Sequence, residues 1–357
     1  MNNIADITGE KIRLQVADAI ADKTPLRISS GNTKSFYGNH VDAKNINLLE
    51  HTGIIEYQPS ELVVTVRSGT LLSELENELK TNNQMLAFEP PQHGANTTIG
   101  GIIACGLSGP RRASCGSARD FVLGANIING KAEKCRFGGQ VMKNVAGYDA
   151  SRLMVGAQGT LGILLDISLK VLPVHEAEIS VKFNTELSTA INHIQQWVKQ
   201  GFPITASCFI KDTLYLRLGS TNSAVNKTLD YIKQLFATEE IDNTFWLGIK
   251  NQTHDFFTEK KNLWRCSHQT ATEFYNDSVD QVVEWNGALR WTHSDEDLHV
   301  TAEQHNGHAT RYPLNSEAAI SNIFQPMQPA LLKIHKGLKQ AFDPENILNP
   351  DRLYTDL

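Results

Sequence analysis

The chain has 357 residues, 41% of them hydrophobic and 20% charged, and carries a net charge of −6, which is enough globular sequence for two domains with separate cores. No Lys/Arg run marks a nucleic-acid surface, no window approaches a membrane-spanning apolar stretch, and Met1-Asn-Asn-Ile-Ala-Asp does not open a secretory signal, so a cytoplasmic protein is expected. Five cysteines, at 105, 115, 135, 208 and 266, contain no C-x-x-C, so no disulfide framework, zinc site or iron–sulfur cluster is expected.

Residues 25–30 read as a short strand running into a turn, Gly31-Asn-Thr-Lys-Ser. Residues 62–67 are β-branched and apolar, a buried strand. Ser68-Gly69-Thr70 breaks it, with Thr70 as an N-cap, and Leu72, Leu75 and Leu79 follow at helical spacing. Glycines then crowd at 94, 100, 101, 106, 109, 116 and 124, and again at 147, 156, 159 and 162, separated by apolar residues. Glycine weakens helix and strand interiors, so this density implies backbone that turns sharply or approaches something closely inside a core. A large flat cofactor held by backbone groups fits. Residues 162–172 form another apolar strand, closed by Pro173.

Near residue 174 the glycines thin out. Residues 178–183 read as a strand, and Leu187, Ile191, Ile194 and Val198 mark a helix face. Residues 205–210 and 213–218 read as strands around a Lys211-Asp212 turn. Val225, Leu229, Ile232 and Phe236 mark a second helix. This β-α-β-β-α order resembles a ferredoxin-like layer. Residues 250–325 show no sustained period, Leu331, Ile334, Leu338 and Ala341 share one face of a last helix, and a turn-rich tail follows.

Phosphate-binding signatures separate poorly one by one. Gly156-x-x-Gly159-x-x-Gly162 has the wrong spacing for a dinucleotide fingerprint, and Lys34-Ser35 lacks the glycines of a P-loop. Ser30 to Ser35 is a turn whose amides suit a pyrophosphate, though ordinary turn chemistry gives the same composition. The combination is more specific: the turn at 31, then P-P-Q-H-G-A-N-T-T-I-G-G, S-C-G-S-A-R-D-F-V-L-G, K-N-V-A-G-Y-D, G-A-Q-G-T-L-G-I and a tail F-D-P-E-N-I-L-N-P-D-R.

This order resembles the PCMH-type FAD-binding domain of the vanillyl-alcohol oxidase/para-cresol methylhydroxylase superfamily. Within it, G-L-S-G-P-R-R, R-F-G-G-Q-V-M-K-N-V-A-G-Y-D, G-A-L-R-W and G-H-A-T-R-Y are similar to the FAD-binding E subunits of bacterial glycolate oxidases, over nearly the whole chain.

The resemblance implies an α+β protein: a PCMH-type FAD-binding domain of two α/β subdomains (1–173), a ferredoxin-like antiparallel cap (174–328), and a return segment (329–357) beside the flavin. FAD is expected to bind non-covalently, because the first turn has no histidine between Gly31 and Gly38; His40 and His93 lie beyond it. The resemblance maps Gly31, Asn32, Thr33, Lys34 and Ser35 to the pyrophosphate. Thr98, Gly100 and Gly101 would bring amides to the pyrophosphate and ring, with Pro91 just before them. Gly116, Ser117, Asp120 and Val122 would lie near the adenosine side or ring edge, and Gly159, Gly162 and Ile163 near the adenine or ribose. A Cβ at the glycines would hold the cofactor away. Lys143, Tyr148 and Asp149 stand beside the ring or in a structural turn.

A 2-hydroxy acid needs a guanidinium for its carboxylate and a base for its hydroxyl proton. Arg265, Arg290 and Arg311, with His308 as base, are the cap candidates, and Arg290 between Leu289 and Trp291 is preferred. Each also reads as an ordinary ion-pairing arginine. The resemblance to FAD dehydrogenases of 2-hydroxy acids would imply a metal on separated histidines and a Glu-His pair; His305 and His308 stand in H-N-G-H, but no Glu-His dipeptide is read anywhere in the chain, so no metal is expected.

The implied function is oxidation of glycolate to glyoxylate in a complex with a homologous FAD subunit and an iron–sulfur subunit, soluble or peripheral at the inner membrane. The missing dipeptide leans towards an auxiliary FAD-bearing role. A self-sufficient dehydrogenase of another hydroxy acid such as lactate, a structural subunit without flavin, and a reductase of peptidoglycan precursors are the alternatives.

Overall fold

A computed structural model describes residues 6–139, 149–259, 262–270, 280–314, 322–355 and 357. Helix α1 (Ile7–Ala21) turns Ile12, Val16 and Ala19 onto the parallel pair β1 (Leu26–Ser29) and β2 (Lys44–Asn47). Ile347 and Leu348 of the tail complete this small core, and Leu348 bridges Leu26 in parallel.

The larger half of the N-terminal domain follows. It comprises β3 (Ile54–Gln58), β4 (Val63–Arg67), α2 (Leu72–Thr81), β5 (Gln84–Met85), α3 (Ile99–Cys105), α4 (Arg112–Cys115), α5 (Ala118–Phe121), β6 (Val122–Ile128), β7 (Lys134–Gly138), β8 (Ile163–Lys170) and β9 (Leu172–Pro173). Strands β3-β4-β8-β6-β7 form one antiparallel sheet, and α2 and α3 pack Leu72, Leu75, Leu79, Ile99, Ile102 and Ile103 on it. Thr70 is not the cap of α2. Leu71 holds that position, and Thr70 Oγ1 instead accepts from Gly53 N (3.0 Å), tying the turn to the start of β3. Nor does Pro173 stop the pairing: it lies opposite Gln84 in the short β5–β9 ladder, where a missing N–H is tolerated.

The cap comprises β10 (Ala177–Asn184), α6 (Leu187–Lys199), β11 (Ile204–Ile210), β12 (Thr213–Ser220), α7 (Asn222–Leu235), β13 (Glu239–Ile241), α8 (Thr244–Lys250), α9 (Asp255–Thr258), β14 (Leu263–Ser267), β15 (Gln281–Glu284), β16 (Leu289–His293), α10 (Leu298–Gln304) and β17 (His308–Arg311). The order β13-β10-β12-β11 is the ferredoxin-like one, and the sheet then continues through β15-β16-β14-β17 to eight antiparallel strands. Lys211 (φ 48°) and Asp212 (φ 59°) make the two-residue turn between β11 and β12, the backbone a tight hairpin requires. On α6 the buried positions are Ala190, Ile194 and Trp197, while Val198 is exposed, because the indole stacks on Phe202.

The strands of residues 250–325 escape periodicity because they are four or five residues long and covered on both faces. One face packs under α6, α7 and α10. The other carries Cys208, Leu263, Val282 and Trp291 against Tyr37 and Leu107 of the N-terminal domain. A buried charge network pins that junction: Arg111 Nη2 reaches Glu178 Oε2 (2.7 Å) and Arg217 Nη2 reaches Glu89 Oε1 (2.8 Å). Burial alone would raise the Glu89 carboxyl, but the guanidiniums of Arg217 and Arg111 outweigh it and hold the group below its usual value.

The last helix, α11 (Pro329–Phe342), departs from its expected role. Leu331 (48%) and Ile334 (60%) are exposed, and the residue it buries is Lys339.

Candidate functional site

A cleft of about 1090 Å³, partly open to solvent, runs between the two halves of the N-terminal domain. Its walls are β1 and the turn after it (Arg27 to Ser35), the start and end of α3 (Thr98, Gly100, Gly101, Ala104, Cys105), and Met154, Ala157, Gln158, Gly159 and Gly162. Ser68, His40, Asn349 and Arg352 close it.

Among the described residues, four buried polar atoms along these walls have no hydrogen-bond partner: Ser30 Oγ, Lys34 Nζ, Ser68 Oγ and Gln158 Nε2. Buried polar groups are normally paired, and burial pulls the Lys34 ammonium below its ordinary value, so this set fits an anionic, hydrogen-bonding ligand. Among the described residues the amides of Gly31 to Lys34 make no hydrogen bond, while that of Ser35 closes on Asn32 O (3.3 Å). With Asn32 at φ 53°, this turn is a small anion nest.

The tail fixes the turn in place. Arg352 donates to Asn39 O (2.6 Å), Tyr37 O (2.8 Å), Ser35 O (3.1 Å) and Gln158 Oε1 (2.9 Å). Asn349 accepts from Ile28 N (2.7 Å) and donates to Gln158 O (2.6 Å).

Two sequence expectations about the glycine block change. The amides of the Thr98 to Gly101 segment are engaged within the protein: Ile99 N on Thr70 O (2.9 Å), Gly100 N on Ser68 O (2.8 Å) and Gly101 N on Thr98 Oγ1 (3.3 Å). The segment lines the cleft, but its first amides hold the domain together. Several of the glycines are also required by close packing within the protein. A Cβ on Gly31 would lie 1.6 Å from Asn96 O, one on Gly100 2.6 Å from Ser68 Cβ, and one on Gly162 2.6 Å from Ile127 Cδ1.

Gly31, Asn32, Thr33, Lys34, Ser35, Thr98, Gly100, Gly101, Gly159 and Gly162 are thus brought together. Pro91, Gly116, Ser117, Asp120, Val122 and Ile163 do not line the cleft. Ser117 and Asp120 form a capping box at the start of α5, and Val122 and Ile163 are strand residues in the cores. Lys143 and Tyr148 lie outside the described residues, and Asp149 pairs with Arg152 (2.9 Å). Sequence reading missed Ser68, Gln158, Asn349 and Arg352. Their signal was position alone, inside S-G-T, G-A-Q-G and N-P-D-R.

Strand register sorts the cap candidates. Arg265 lies opposite Trp291 and Thr310 and shares their face, towards the N-terminal domain, and His308 two residues from Thr310 shares it. Arg290 and Arg311 fall on the helix-covered face with Cys266 and Trp264: Arg290 donates to Gln281 Oε1 (3.2 Å), and Arg311 lies over Trp264 (5.1 Å). The preferred arginine therefore points away from the domain junction. Both Arg265 (4.9 Å) and Arg112 (4.5 Å) lie over the indole of Trp285.

Electrostatics on the junction face is unusual. Desolvation, with the charges of Arg265 and Arg112, pushes the His308 imidazole down to about 4, although water reaches the side chain. Burial raises the Glu284 carboxyl to about 7, where Oε1 accepts from Trp291 Nε1 (2.7 Å). His93 meets Tyr312 Oη (3.2 Å), and desolvation and Lys34 lower it to about 4. A Glu-His dipeptide is in fact present, as Glu50-His51, but in the N-terminal domain, where His51 Nε2 lies 3.1 Å from Asp166 Oδ1. Among the described residues no three His, Cys, Asp or Glu side chains are grouped to hold a metal.

Comparison with known proteins gives consistent neighbours. Residues 8–138 match the family model described as an FAD binding domain. The chain is 42% identical over 346 residues to the glycolate oxidase subunit GlcE of Escherichia coli, covering 96% of each. It is 33% identical over 127 residues to the glycolate oxidase subunit GlcD of Bacillus subtilis, 35% of this chain and 26% of that one. In structure it resembles alkyldihydroxyacetonephosphate synthase with a TM-score of 0.69 at 14% identity, covering 96% of this chain and 74% of the other, a likeness of fold.

Proposed function

The chain belongs to the family of the glycolate oxidase subunit GlcE, and from that premise we propose that it holds FAD non-covalently in the cleft, as one subunit of a complex that oxidises glycolate to glyoxylate. The observation that carries the cofactor assignment is the row of buried atoms unpartnered among the described residues, Ser30 Oγ, Lys34 Nζ, Ser68 Oγ and Gln158 Nε2, along the cleft between the two halves of the N-terminal domain. When bound, FAD supplies the acceptor for the hydride and electron pair that leave the hydroxy acid.

The turn at Gly31 to Ser35 and the ammonium of Lys34 would hold the pyrophosphate, and Arg352 keeps that turn in shape. Reversible binding is favoured by a first turn without histidine. Of the cap residues, Arg265 is assigned to the substrate carboxylate. His308, unprotonated at neutral pH, is assigned to the hydroxyl proton. Arg290 and Arg311 are assigned structural roles. Electrons would leave through a homologous FAD subunit and an iron–sulfur subunit, which agrees with cysteines too scattered to ligate a cluster. Association with the membrane would come through that complex, since no described helix is long and apolar enough to cross a bilayer.

The test is anaerobic addition of glycolate to the purified chain, followed by its flavin absorption. Bleaching by the chain alone supports hydride transfer in this subunit. A spectrum that stays oxidised, but bleaches once the partner subunits are added, assigns the chemistry to a partner and leaves this chain a carrier.

A further inference from the structure

We propose that Arg112 and Arg265 together form a seat for a small monocarboxylate, with the indole of Trp285 as its floor. The inference rests on the substrate role given above to Arg265 and extends it to a residue of the N-terminal domain. Arg112 opens the short helix after Gly109 and Pro110, whereas Arg265 sits on β14 of the cap. The seat therefore spans both domains. Both guanidiniums lie over the same ring, at 4.5 and 4.9 Å from its centroid. Trp285 is itself fixed, donating from Nε1 to Gly109 O (3.0 Å).

Arg265 is only 7% exposed, yet among the described residues neither guanidinium has a hydrogen bond or a carboxylate within 4.0 Å. Every other strongly buried arginine on the junction, Arg111 and Arg217, meets Glu89 or Glu178. A buried cation and a half-buried one stacked on one indole, with no carboxylate within 4.0 Å of either among the described residues, carry a desolvation cost that an anion delivered to them lowers. Desolvation and the charge of Arg265 lower the Arg112 guanidinium, and the carboxylate of Asp120 offsets this only in part. A planar carboxylate matches the guanidinium fork.

Acetate is a suitable probe, having the carboxylate and no hydroxyl to oxidise. It would be titrated into the purified full chain by calorimetry and tryptophan fluorescence, with FAD content measured in every sample. Arg112→Gln and Arg265→Gln are each expected to weaken acetate about tenfold or more, the scale of a lost charge-assisted pair. Arg112→Lys is expected to recover part of the affinity, and Arg311→Gln to change nothing. Unaltered acetate affinity in a folded Arg112→Gln chain would overturn the proposal, as would no acetate binding at all. Absence of FAD from the unsubstituted chain would instead sink the cofactor reading, and the acetate titration would still be read by itself.

Discussion

Lys339 Nζ lies 2.7 Å from Asp343 Oδ2, one helical turn further on, and the pair latches the tail to the cofactor cleft. The same ammonium donates to Thr160 O (2.9 Å) and Leu348 O (2.8 Å), using all three of its protons. Asp343 in turn accepts from Ile347 N (3.1 Å) and Leu348 N (2.8 Å). Leu348, Asn349 and Arg352 follow directly, and the last two reach the cleft. Replacing Lys339 by Met leaves a buried carboxylate without its cation. The expected loss is about 3–5 kcal/mol of unfolding free energy by denaturant titration, together with weaker flavin retention.

Lys34 provides a sharper test of the cleft, because its ammonium has no protein partner to lose. Lys34→Gln should leave the melting temperature unchanged or raise it, while weakening FAD about tenfold or more. A variant that keeps FAD affinity would mean that the pyrophosphate lies elsewhere.

The glycines make a contrasting pair. Gly31→Ala drives a Cβ to 1.6 Å from Asn96 O and should destabilise the fold whether or not FAD is present. At Gly101 the nearest neighbour of a Cβ is Thr98 Oγ1 at 3.2 Å, so Gly101→Ala should fold, and any defect should appear in cofactor binding. Thermal melts with and without FAD separate the two.

Glu284 sets a pH dependence. Its carboxyl is raised from 4.5 to about 7 by burial, so between those values the folded chain holds a proton that the unfolded chain has released. This contribution is fully present below about 4.5 and is lost as pH rises through 7, by roughly 3 kcal/mol. His308 and His93, both lowered to about 4, act in the opposite sense: their contribution is present above 6.5 and is lost as pH falls towards 4. Glu284→Gln keeps an acceptor for Trp291 and should be more stable than the parent at pH 8 and no more stable at pH 4.5. Equal stability at both values would contradict the raised carboxyl.

Much of this architecture was legible in sequence where one face of an element is wet. Leu72, Leu75 and Leu79 identified α2, because solvent on one side imposes a period, whereas the hairpin at Lys211-Asp212 was legible from its polar turn pair between two apolar runs, β11 being buried throughout. Strands β14 to β17 were illegible because both their faces are covered. For the same reason Arg265 and Arg290 could not be told apart: the sequence shows apolar neighbours for both, and only the register with Trp291 reveals opposite faces. The first turn was legible through its glycine and small residues. Arg352 was not, since its four backbone carbonyl partners lie more than 310 residues away. The stripe Leu331 and Ile334 misled in another way, being helical in period yet exposed.

The most direct test of the account is the visible absorption of the chain purified alone and supplied with FAD, followed by acid precipitation and filtration. The account predicts a yellow protein whose flavin passes entirely into the filtrate, and Lys34→Gln chain that retains less of it. Flavin that stays with the precipitate would contradict non-covalent binding, and a colourless chain, even with its partner subunits present, would contradict the cofactor cleft itself.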